Sequence, residues 1–440
     1  MNTWGELTFP RNVYGMLYNP DRELFVGNMG DIAYSEGFTG HIKRVLSERA
    51  KLGLDGNSSN GHVYSFFYLE KNQYVACHSQ VMERSDNTYR GKLLFSDFLL
   101  ADENQLNLIN WNLRQLFALF GEIPYFEKKD PQLPPYILSK EVSNNSNWFI
   151  NLKAQKDLIQ ATLAKLLSSD GIVKIIQAPD DPIKRLDFLC SVVECVPAKL
   201  RSYMSFATLA DPKYSTAKII FPLSGSSGNV VNWYRSILDN NIGSDGARYA
   251  DWVASTIVQA ENPESFMRLI ELGLPRKNLK EPFGQTLDLA VEFLSWSKDA
   301  KTNEITDESK LEQLVREIWK FREFFNDDEL LEWLYRVIFY AIHLSAYHPA
   351  TAALSNHITI VNVRNFQDRI VFRIVNEICM SANQETLISV AQFLKEVLNG
   401  QTSDSLETHV QFVRNIIEKC IRSEASRGLI LWSLVCDIEL

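Results

Sequence analysis

Residues 196–208 read VPAKLRSYMSFAT, and residues 89–100 read YRGKLLFSDFLL. Each stretch sets an arginine, Arg201 or Arg90, in a largely apolar run. Because a guanidinium group does not lose its proton in proteins, each arginine must reach water, a carboxylate or a carbonyl group. Arg201 follows a proline that ends a predicted helix, while Arg90 and Gly91 precede a predicted strand. We expect both arginines to fix the path of the backbone, with contact to a ligand as the alternative role.

The composition is that of an acidic globular protein. The chain has 440 residues, of which 45% are hydrophobic and 22% charged, and its formal net charge is -9. This length exceeds what one hydrophobic core usually supports and predicts two or three domains. The negative balance argues against nucleic acid as the main ligand, since binding a phosphate backbone requires a basic surface.

The sequence indicates neither a membrane segment nor a zinc site. No uninterrupted apolar segment is long enough to span a bilayer, and the N-terminus lacks a basic region followed by an apolar stretch. The six cysteines never form a C-x-x-C pair, and most lie among apolar residues, as small buried hydrophobes do. We therefore expect a reduced, cytoplasmic protein with no membrane span and no cofactor.

The N-terminal part of the chain combines strand and helix patterns. Residues 62–69 and 74–81 are rich in aromatic and β-branched residues and border a polar turn, which predicts a β-hairpin. Residues 91–100 predict a third strand, and apolar residues recur at helical spacing over residues 42–50. These elements predict an α+β domain over residues 1–125.

A second α+β unit is predicted after a linker. Residues 126–150 contain three closely spaced prolines and several charges, which favour a proline-rich linker. Residues 151–235 then predict a helix, a strand, a helix and a hairpin, whose strands are placed at residues 203–209 and 217–223. This order of elements predicts a middle α+β domain.

From residue 236 to residue 440 the pattern is helical. Residues 311–321 place apolar side chains at i, i+3, i+4 and i+7, and similar patterns continue to residue 435 without a fixed-period repeat. The fold class predicted for the whole chain is therefore α+β, with two small α+β domains followed by an α-helical bundle or an irregular α-solenoid.

The strongest enzymatic interpretation rests on three residues. His62, His78 and Asp97 lie on predicted neighbouring strands, where they could ligate a metal or act as an acid–base pair. A metal-dependent hydrolase is therefore one alternative function. The spacing of these residues specifies no particular metal, and histidines on strands are more often structural. Beyond them the sequence supplies no complete set of nucleophile and base, and no phosphate-binding loop.

Two patterns carry a resemblance to a known family. They are Arg-Gly-x-x-x-Phe-Ser-x-x-Leu at residues 90–99, and Val-Pro-x-x-Leu-Arg-x-x-x-Ser-Phe-x-Thr at residues 196–208. In this order, after an aromatic hairpin, they resemble the N-terminal and middle domains of the GTPase-associated protein family of bacterial conflict systems. The family resemblance predicts a histidine where this chain has Asp97. It implies a non-catalytic component of a defence system, which acts beside a GTPase or another nucleotide-driven switch protein.

Taken with the lack of a complete catalytic set, the resemblance favours an adaptor or scaffold as the function. The helical region is dense in aromatic residues, among them Trp319 and Trp333, which are typical of protein interfaces as well as of helical cores. We expect residues 290–440 to supply the main surface for a protein partner, either a GTPase or another component of the same defence system. A purely structural subunit of a larger assembly is the other alternative, and self-association into an oligomer is left open.

Overall fold

The structure of the protein is a computed structural model that describes residues 5–38, 40–49, 61–70, 72–83, 92–129, 132–139, 147–168, 171–213, 215–223, 227–235, 245–271, 283–302, 304–358, 363–380, 383–399 and 403–436. The chain divides into two compact units. The first, called here the sheet unit, comprises Met1–Leu274 and Lys280–Val291, and the second, the helical unit, comprises Pro275–Leu279 and Glu292–Leu440.

The described strands all belong to the sheet unit. They are β1 (Glu6–Phe9), β2 (Arg11–Asn19), β3 (Leu24–Tyr34), β4 (Gly61–Tyr68), β5 (Gln73–Glu83), β6 (Lys92–Asp102), β7 (Tyr136–Ser139), β8 (Val173–Ile176), β9 (Phe206–Ala210), β10 (Ile219–Pro222) and β11 (Val230–Asn232).

The helices are spread over both units. They are α1 (Gly40–Arg49), α2 (Glu103–Leu108), α3 (Leu113–Phe117), α4 (Asn147–Ala154), α5 (Lys156–Ser168), α6 (Pro182–Glu194), α7 (Ala198–Arg201), α8 (Ala247–Gln259), α9 (Pro263–Glu271), α10 (Phe283–Thr302), α11 (Glu308–Lys320), α12 (Asp327–Leu344), α13 (Tyr347–Ile358), α14 (Val363–Arg373), which continues into a π-helix (Ile374–Cys379), α15 (Gln384–Asn399), α16 (Ser403–Ser423) and α17 (Ala425–Cys436).

Nine of the described strands form one mixed sheet in the order β11-β8-β10-β9-β4-β5-β6-β2-β3. The predicted aromatic hairpin is present as β4 and β5, which pair antiparallel from Gly61 opposite Val81 to Tyr68 opposite Tyr74. The four strands at the β11 end are mutually parallel, and the remaining neighbours are antiparallel. The fold is therefore α+β with a helical C-terminal region, as the sequence predicts.

The sheet joins the two stretches that the sequence assigns to separate domains, 1–125 and 151–235. β9 pairs antiparallel with β4, with Ala207 opposite Ser65 and Phe206 opposite Phe66. The backbone NH of Tyr64 also donates to the Thr208 hydroxyl, at 2.8 Å. The two predicted α+β domains therefore share one sheet. The edge strand β4 would otherwise leave backbone groups unpaired, and β9 from the later stretch satisfies them.

The predicted linker at residues 126–150 is also redrawn. Leu133 is buried in a core cluster with Ile123, Val13 and Phe95, and its backbone NH donates to the carbonyl of Tyr34. Farther along, β7 pairs with β1 in a separate two-stranded sheet. Pro134 and Pro135 precede β7, and the buried Leu133 packs this stretch against the sheet unit.

The strands predicted as a second hairpin run parallel instead. β10 lies beside β9 with Ile219 opposite Phe206 and Ile220 opposite Ala207, in a parallel register. The backbone NH of Lys218 donates to the carbonyl of Ser205, just before β9 begins. The chain therefore returns to the start of β9 before β10 starts, so the two strands point the same way.

The helical unit begins later than the predicted boundary at residue 236. Helices α8 and α9 and the start of α10 belong to the sheet unit. The apolar stripes that predict helices at residues 311–321 and beyond face a common core, which includes Leu311, Ile318, Val337 and Phe393. Within the described residues, no helix combines the length and apolarity required to cross a bilayer.

The last two helices meet at a glycine. A Cβ atom at Gly428 of α17 would lie 2.4 Å from the backbone nitrogen of Ile421 on α16, closer than real Cβ atoms approach. Only glycine therefore allows α17 to pack at this distance, and the neighbouring Arg427 donates to the carbonyl of Cys379 across the packed helices.

We expect Gly428→Ala to destabilise the helical unit by about 1–3 kcal/mol, because the added methyl group forces the backbones of α16 and α17 apart. Urea denaturation followed by pulsed hydrogen exchange of peptides from α16 and α17 measures the change. Ser426→Ala, an exposed position on the same helix, is the control and should change stability by less than about 0.5 kcal/mol. Equal stability of the two variants would contradict this packing.

Candidate functional site

Two of the three residues of the enzymatic interpretation do meet on the sheet. His62 Nδ1 lies 2.8 Å from His78 Nε2 in a direct hydrogen bond. His78 stacks on Tyr64, with ring centroids 4.7 Å apart, and Phe120 also contacts its ring. His78 is buried, whereas His62 is exposed. The histidine pair therefore has one solvent-facing member and one member held among aromatic rings.

The environment of His78 favours its neutral form. Burial lowers the pKa of His78 from 6.5 to about 4, and the neighbouring His62 adds to this effect, while the backbone at Gly121 acts in the opposite direction. Desolvation dominates because a charged imidazole loses its hydration in this position. At neutral pH His78 is therefore an uncharged hydrogen-bonding partner of His62.

Asp97 lies opposite His78 in the pairing of β5 with β6, but its carboxylate is engaged elsewhere. Arg11 Nε donates to both carboxylate oxygens of Asp97, at 3.0 and 3.1 Å, and Arg11 Nη2 also donates to Oδ2. The Tyr136 hydroxyl donates to Oδ2 at 2.6 Å. Burial raises the pKa of Asp97, while Arg11 and Tyr136 favour the charged form and partly offset that rise.

In this arrangement Asp97 connects strands through its contacts with Arg11 and Tyr136. The guanidinium of Arg11 lies 4.4 Å from the centroid of the Tyr136 ring, so the three residues tie β2, β6 and β7 together. Among the described residues, no group of three or more metal-ligating side chains comes together. The three residues of the hydrolase alternative are thus placed as a histidine pair and a separate Arg–Asp–Tyr cluster.

Cys77 lies on the opposite face of the sheet from His78. It belongs to a core cluster with Phe98 and Val75, and its sulfur lies 3.3 Å from the Ser79 hydroxyl. Burial raises the pKa of Cys77 to about 12, with hydrogen bonds from Ser79 and Ser65 lowering it in part. Its thiol is therefore uncharged at neutral pH, which does not suit a nucleophile.

Arg201 is fully buried and its guanidinium is surrounded by acceptors. Nε donates to the carbonyl of Val196 at 2.7 Å and Nη1 to that of Asn110 at 2.8 Å. Nη2 donates to the carbonyl of Glu194 at 3.2 Å and to Glu271 Oε1 at 3.4 Å. These contacts join the end of α6, the loop before α3 and helix α9 around one side chain.

A second arginine with acidic partners, the half-buried Arg114, was missed by the sequence analysis. Arg114 on α3 forms ion pairs with Asp187 and Glu194 of α6, and it donates to the Ser191 hydroxyl at 2.6 Å. Burial raises the pKa of Glu194, and the charge of Arg114 partly offsets this rise. Asp187, Ser191 and Glu194 share one helical face by their i, i+4, i+7 spacing, a polar stripe that could have revealed the contact.

The remaining residues singled out from sequence have separate positions. Arg90 and Gly91 lie outside the described residues. Trp333 is buried and packs against Trp296 with tilted rings whose centroids are 5.0 Å apart, so it belongs to the core of the helical unit and not to its surface. Trp319 is 38% exposed, and the guanidinium of Arg322 lies 4.2 Å from its ring centroid.

A groove on the helical unit, here called the Phe372 groove, combines an exposed aromatic ring with charges of both signs. Its volume is about 730 Å³. The Phe372 side chain is 54% exposed, and Lys419 Nζ lies 5.2 Å from its ring centroid. The described lining residues are Asp328, Leu331 and Glu332 of α12, Asp368, Arg369, Phe372 and Arg373 of α14, and Lys419 of α16.

Ion pairs hold the two sides of the Phe372 groove. Arg369 pairs with Asp328, and Arg373 pairs with Glu332 across the two helices and with Glu377 on its own helix. The Arg373 guanidinium also lies 3.8 Å from the Tyr335 ring centroid. The groove therefore has charged sides that are already neutralised and an exposed aromatic ring between them.

Comparison with known proteins gives no relative to set beside this geometry: no family model matches the chain, and neither a curated protein sequence nor a solved structure does.

We expect Arg201→Ala to destabilise the sheet unit by about 3–5 kcal/mol, because it leaves buried carbonyl groups and a carboxylate without their donor. Urea denaturation of the full chain, followed by pulsed hydrogen exchange of peptides from α6 and β9, measures the change. Arg268→Ala on α9, an exposed arginine in the same unit, should cost less than about 1 kcal/mol. Equal effects of both substitutions would show that the Arg201 contacts contribute little.

We expect the sheet unit to lose stability on acidification through His78. Its folded pKa lies below 6.5, so the unfolded chain binds an extra proton at intermediate pH. The contribution of His78 is complete above its unfolded pKa and is lost as the pH falls towards its folded pKa. Between about pH 7.5 and about pH 5 the loss should be about 2 kcal/mol.

His78→Phe, which keeps an aromatic ring but cannot titrate, isolates this effect. The free energy of unfolding is measured by urea denaturation at both pH values, followed by hydrogen exchange of β4 and β5 peptides. The loss of this free energy on acidification should be smaller in the variant by about 2 kcal/mol. If both proteins lose the same free energy between the two pH values, His78 is not the group responsible.

Proposed function

We propose that the protein is a non-catalytic adaptor, which binds a protein partner through the Phe372 groove of its helical unit. The observation that carries the proposal is Phe372 itself, a large aromatic side chain more than half exposed between charged groups. Protein interfaces combine an apolar centre with a polar rim, and aromatic residues and arginine dominate their binding energy.

The charges of the Phe372 groove favour a protein over a polyanion. Asp328, Glu332 and Asp368 balance Arg369, Arg373 and Lys419 among its described lining residues. A phosphate backbone would gain nothing from such a surface, and the whole chain carries a net charge of -9. A partner segment with an apolar side chain could pack on Phe372 while its own charges exchange with the ion pairs of the rim.

The structural contacts made by polar residues of the sheet unit also support an adaptor. Asp97 is held by Arg11 and Tyr136, and Arg201 is held by carbonyl groups and Glu271. His78 is buried and its pKa is low. Groups of the types that serve in catalysis are thus used here to connect strands and helices.

We take the class of partner from the resemblance of residues 90–99 and 196–208 to the GTPase-associated family. The partner is then a GTPase or another nucleotide-driven switch protein of the same bacterial defence system, and the complex forms in the cytoplasm. The resemblance does not cover the helical unit, where the Phe372 groove offers a surface for such a partner.

Phe372→Ala should weaken partner binding about 30-fold or more, as expected when an aromatic anchor at the centre of an interface is removed. Affinity capture with the full-length protein from its native host, followed by mass spectrometry, identifies the partner. Calorimetry with the purified partner then compares the wild type with the variant. Because Phe372 is exposed, the variant should keep its thermal stability.

Ile388→Ala is the matched control, because Ile388 is 50% exposed on α15 of the same unit. It should leave the dissociation constant within about twofold of the wild type. Undiminished binding by Phe372→Ala would contradict the proposed surface. Stoichiometric zinc, iron or manganese that is lost in His62→Ala or His78→Ala would instead support the metal-dependent hydrolase.

A further inference from the structure

A second pocket lies in the sheet unit, apart from every residue used above for partner binding. It opens between the β4–β5 hairpin turn and the segment that follows α7, and its volume is about 540 Å³. This size is within the range of small-molecule sites, about 300–1,000 Å³. The described lining of the pocket includes Tyr68, Asn72, Tyr74, Glu103, Ser202, Tyr203 and Thr216.

Three tyrosines give this pocket its character, and we call it the tyrosine pocket. Tyr74 is buried at its base, packed edge-on against Trp111. Tyr68 and Tyr203 are 44% and 52% exposed, and the Tyr68 ring centroid lies 5.4 Å from that of Tyr74. Tyr203 is supported from outside by Phe283, at 4.8 Å between centroids. The pocket thus exposes two rings that adjacent aromatic residues hold in place.

Glu103 supplies the charge of the tyrosine pocket, and it is the one charged side chain among the described residues that line it. It is the first residue of α2, whose start is fixed by a capping box between Asp102 and Gln105. The backbone NH of Glu103 also donates to the carbonyl of Asn72, at 3.0 Å. The carboxylate is therefore attached to a well-defined backbone position beside the hairpin turn.

Glu103 and the three tyrosines line the same pocket, and the pKa of Tyr74 reflects their surroundings. Burial raises the pKa of Tyr74 to about 12, and the charge of Glu103 adds to that rise, followed by smaller contributions from Tyr68 and Tyr203. A hydrogen bond with Ser202 acts in the opposite direction. The Tyr74 hydroxyl is therefore uncharged at neutral pH.

We propose that the tyrosine pocket binds an alkylammonium cation, of the kind found in quaternary ammonium compounds and in methylated lysine. Tyrosine faces attract such cations through their ring quadrupoles, and the alkyl groups pack on the same faces. The negative charge of Glu103 attracts the positive charge of the ligand. An anionic or neutral ligand would gain nothing from this attraction. The hydroxyl groups of Ser202 and Thr216 and the amide of Asn72 line the same pocket and can hydrogen-bond to polar atoms in the rest of the ligand.

The same chemistry could come from a free small molecule or from a methylated lysine on a protein tail. Titrations of the full-length protein with choline and with a short trimethyllysine peptide distinguish the two sources, and both are measured by calorimetry or ligand-observed NMR. A peptide that binds at least about tenfold more tightly than choline identifies a protein tail, whereas equal or weaker binding identifies the free compound. Either result supports the site.

The neutral isostere of choline, in which carbon replaces the ammonium nitrogen, tests the role of the charge. It has the same shape and should bind at least about tenfold more weakly than choline. Tyr203→Leu and Tyr68→Leu should each weaken binding of the cation about five- to tenfold, and Glu103→Gln by a similar factor. Tyr234→Leu, at an exposed tyrosine outside the pocket, is the matched control and should have no effect.

Two results would overturn the proposal. One is equal affinity for the cation and its neutral isostere, which would make the pocket a plain apolar site. The other is the absence of binding of either cationic probe up to about 20 mM, with the wild type folded as judged by circular dichroism. Because the pocket lies in the sheet unit, both results leave the proposed adaptor role of the Phe372 groove unaffected.

Discussion

The structure depends on the pairing of β4 with β9 and on the buried guanidinium next to it. Without β9, the aromatic hairpin would end in an unpaired edge, and without β4 the parallel strands would lack their antiparallel neighbour. Arg201 lies five residues before β9, and its guanidinium donates hydrogen bonds to the carbonyls of Val196, Glu194 and Asn110. An arginine in an apolar run is tolerated here because the chain supplies acceptors for its donors, so the same contact that satisfies the charge also fixes the entry into β9.

This use of polar residues explains why the proposed functions lie elsewhere. The buried carboxylates of the sheet unit are paired with half-buried arginines, Asp97 with Arg11 and Glu194 with Arg114. Breaking such a pair leaves a buried charge, so these residues have little freedom to take part in chemistry. Accessible features among the described residues include a groove with an exposed phenylalanine and a pocket lined by tyrosines. Both suit recognition, one of a protein surface and one of a cation.

The sequence predicted what is local and missed what joins distant segments. The β4–β5 hairpin and the helices from α11 to α17 other than α13 follow from periodicity and turn residues, which act over a few positions. The pairing of β4 with β9 and the parallel order of β9 and β10 depend on contacts between segments that carry no mutual signal. His62 and His78 meet because His62 is opposite Gln80, which makes His78 its diagonal neighbour, a register that spacing alone does not give. Arg11 and Phe372 had no local pattern to mark them, since their roles arise only when other elements pack beside them.

Pulsed hydrogen exchange along a urea gradient tests most directly whether one sheet spans both stretches of the chain. Peptides from β4 and β5, in the first stretch, and from β9 and β10, in the second, report the two halves separately. If β4–β9 pairing and the Arg201 contacts unite them, all four strands lose protection in one transition with a shared midpoint, and Arg201→Ala shifts that midpoint for all of them together. Loss of protection in β9 and β10 at a lower urea concentration, with β4 and β5 still protected, would contradict a single cooperative sheet.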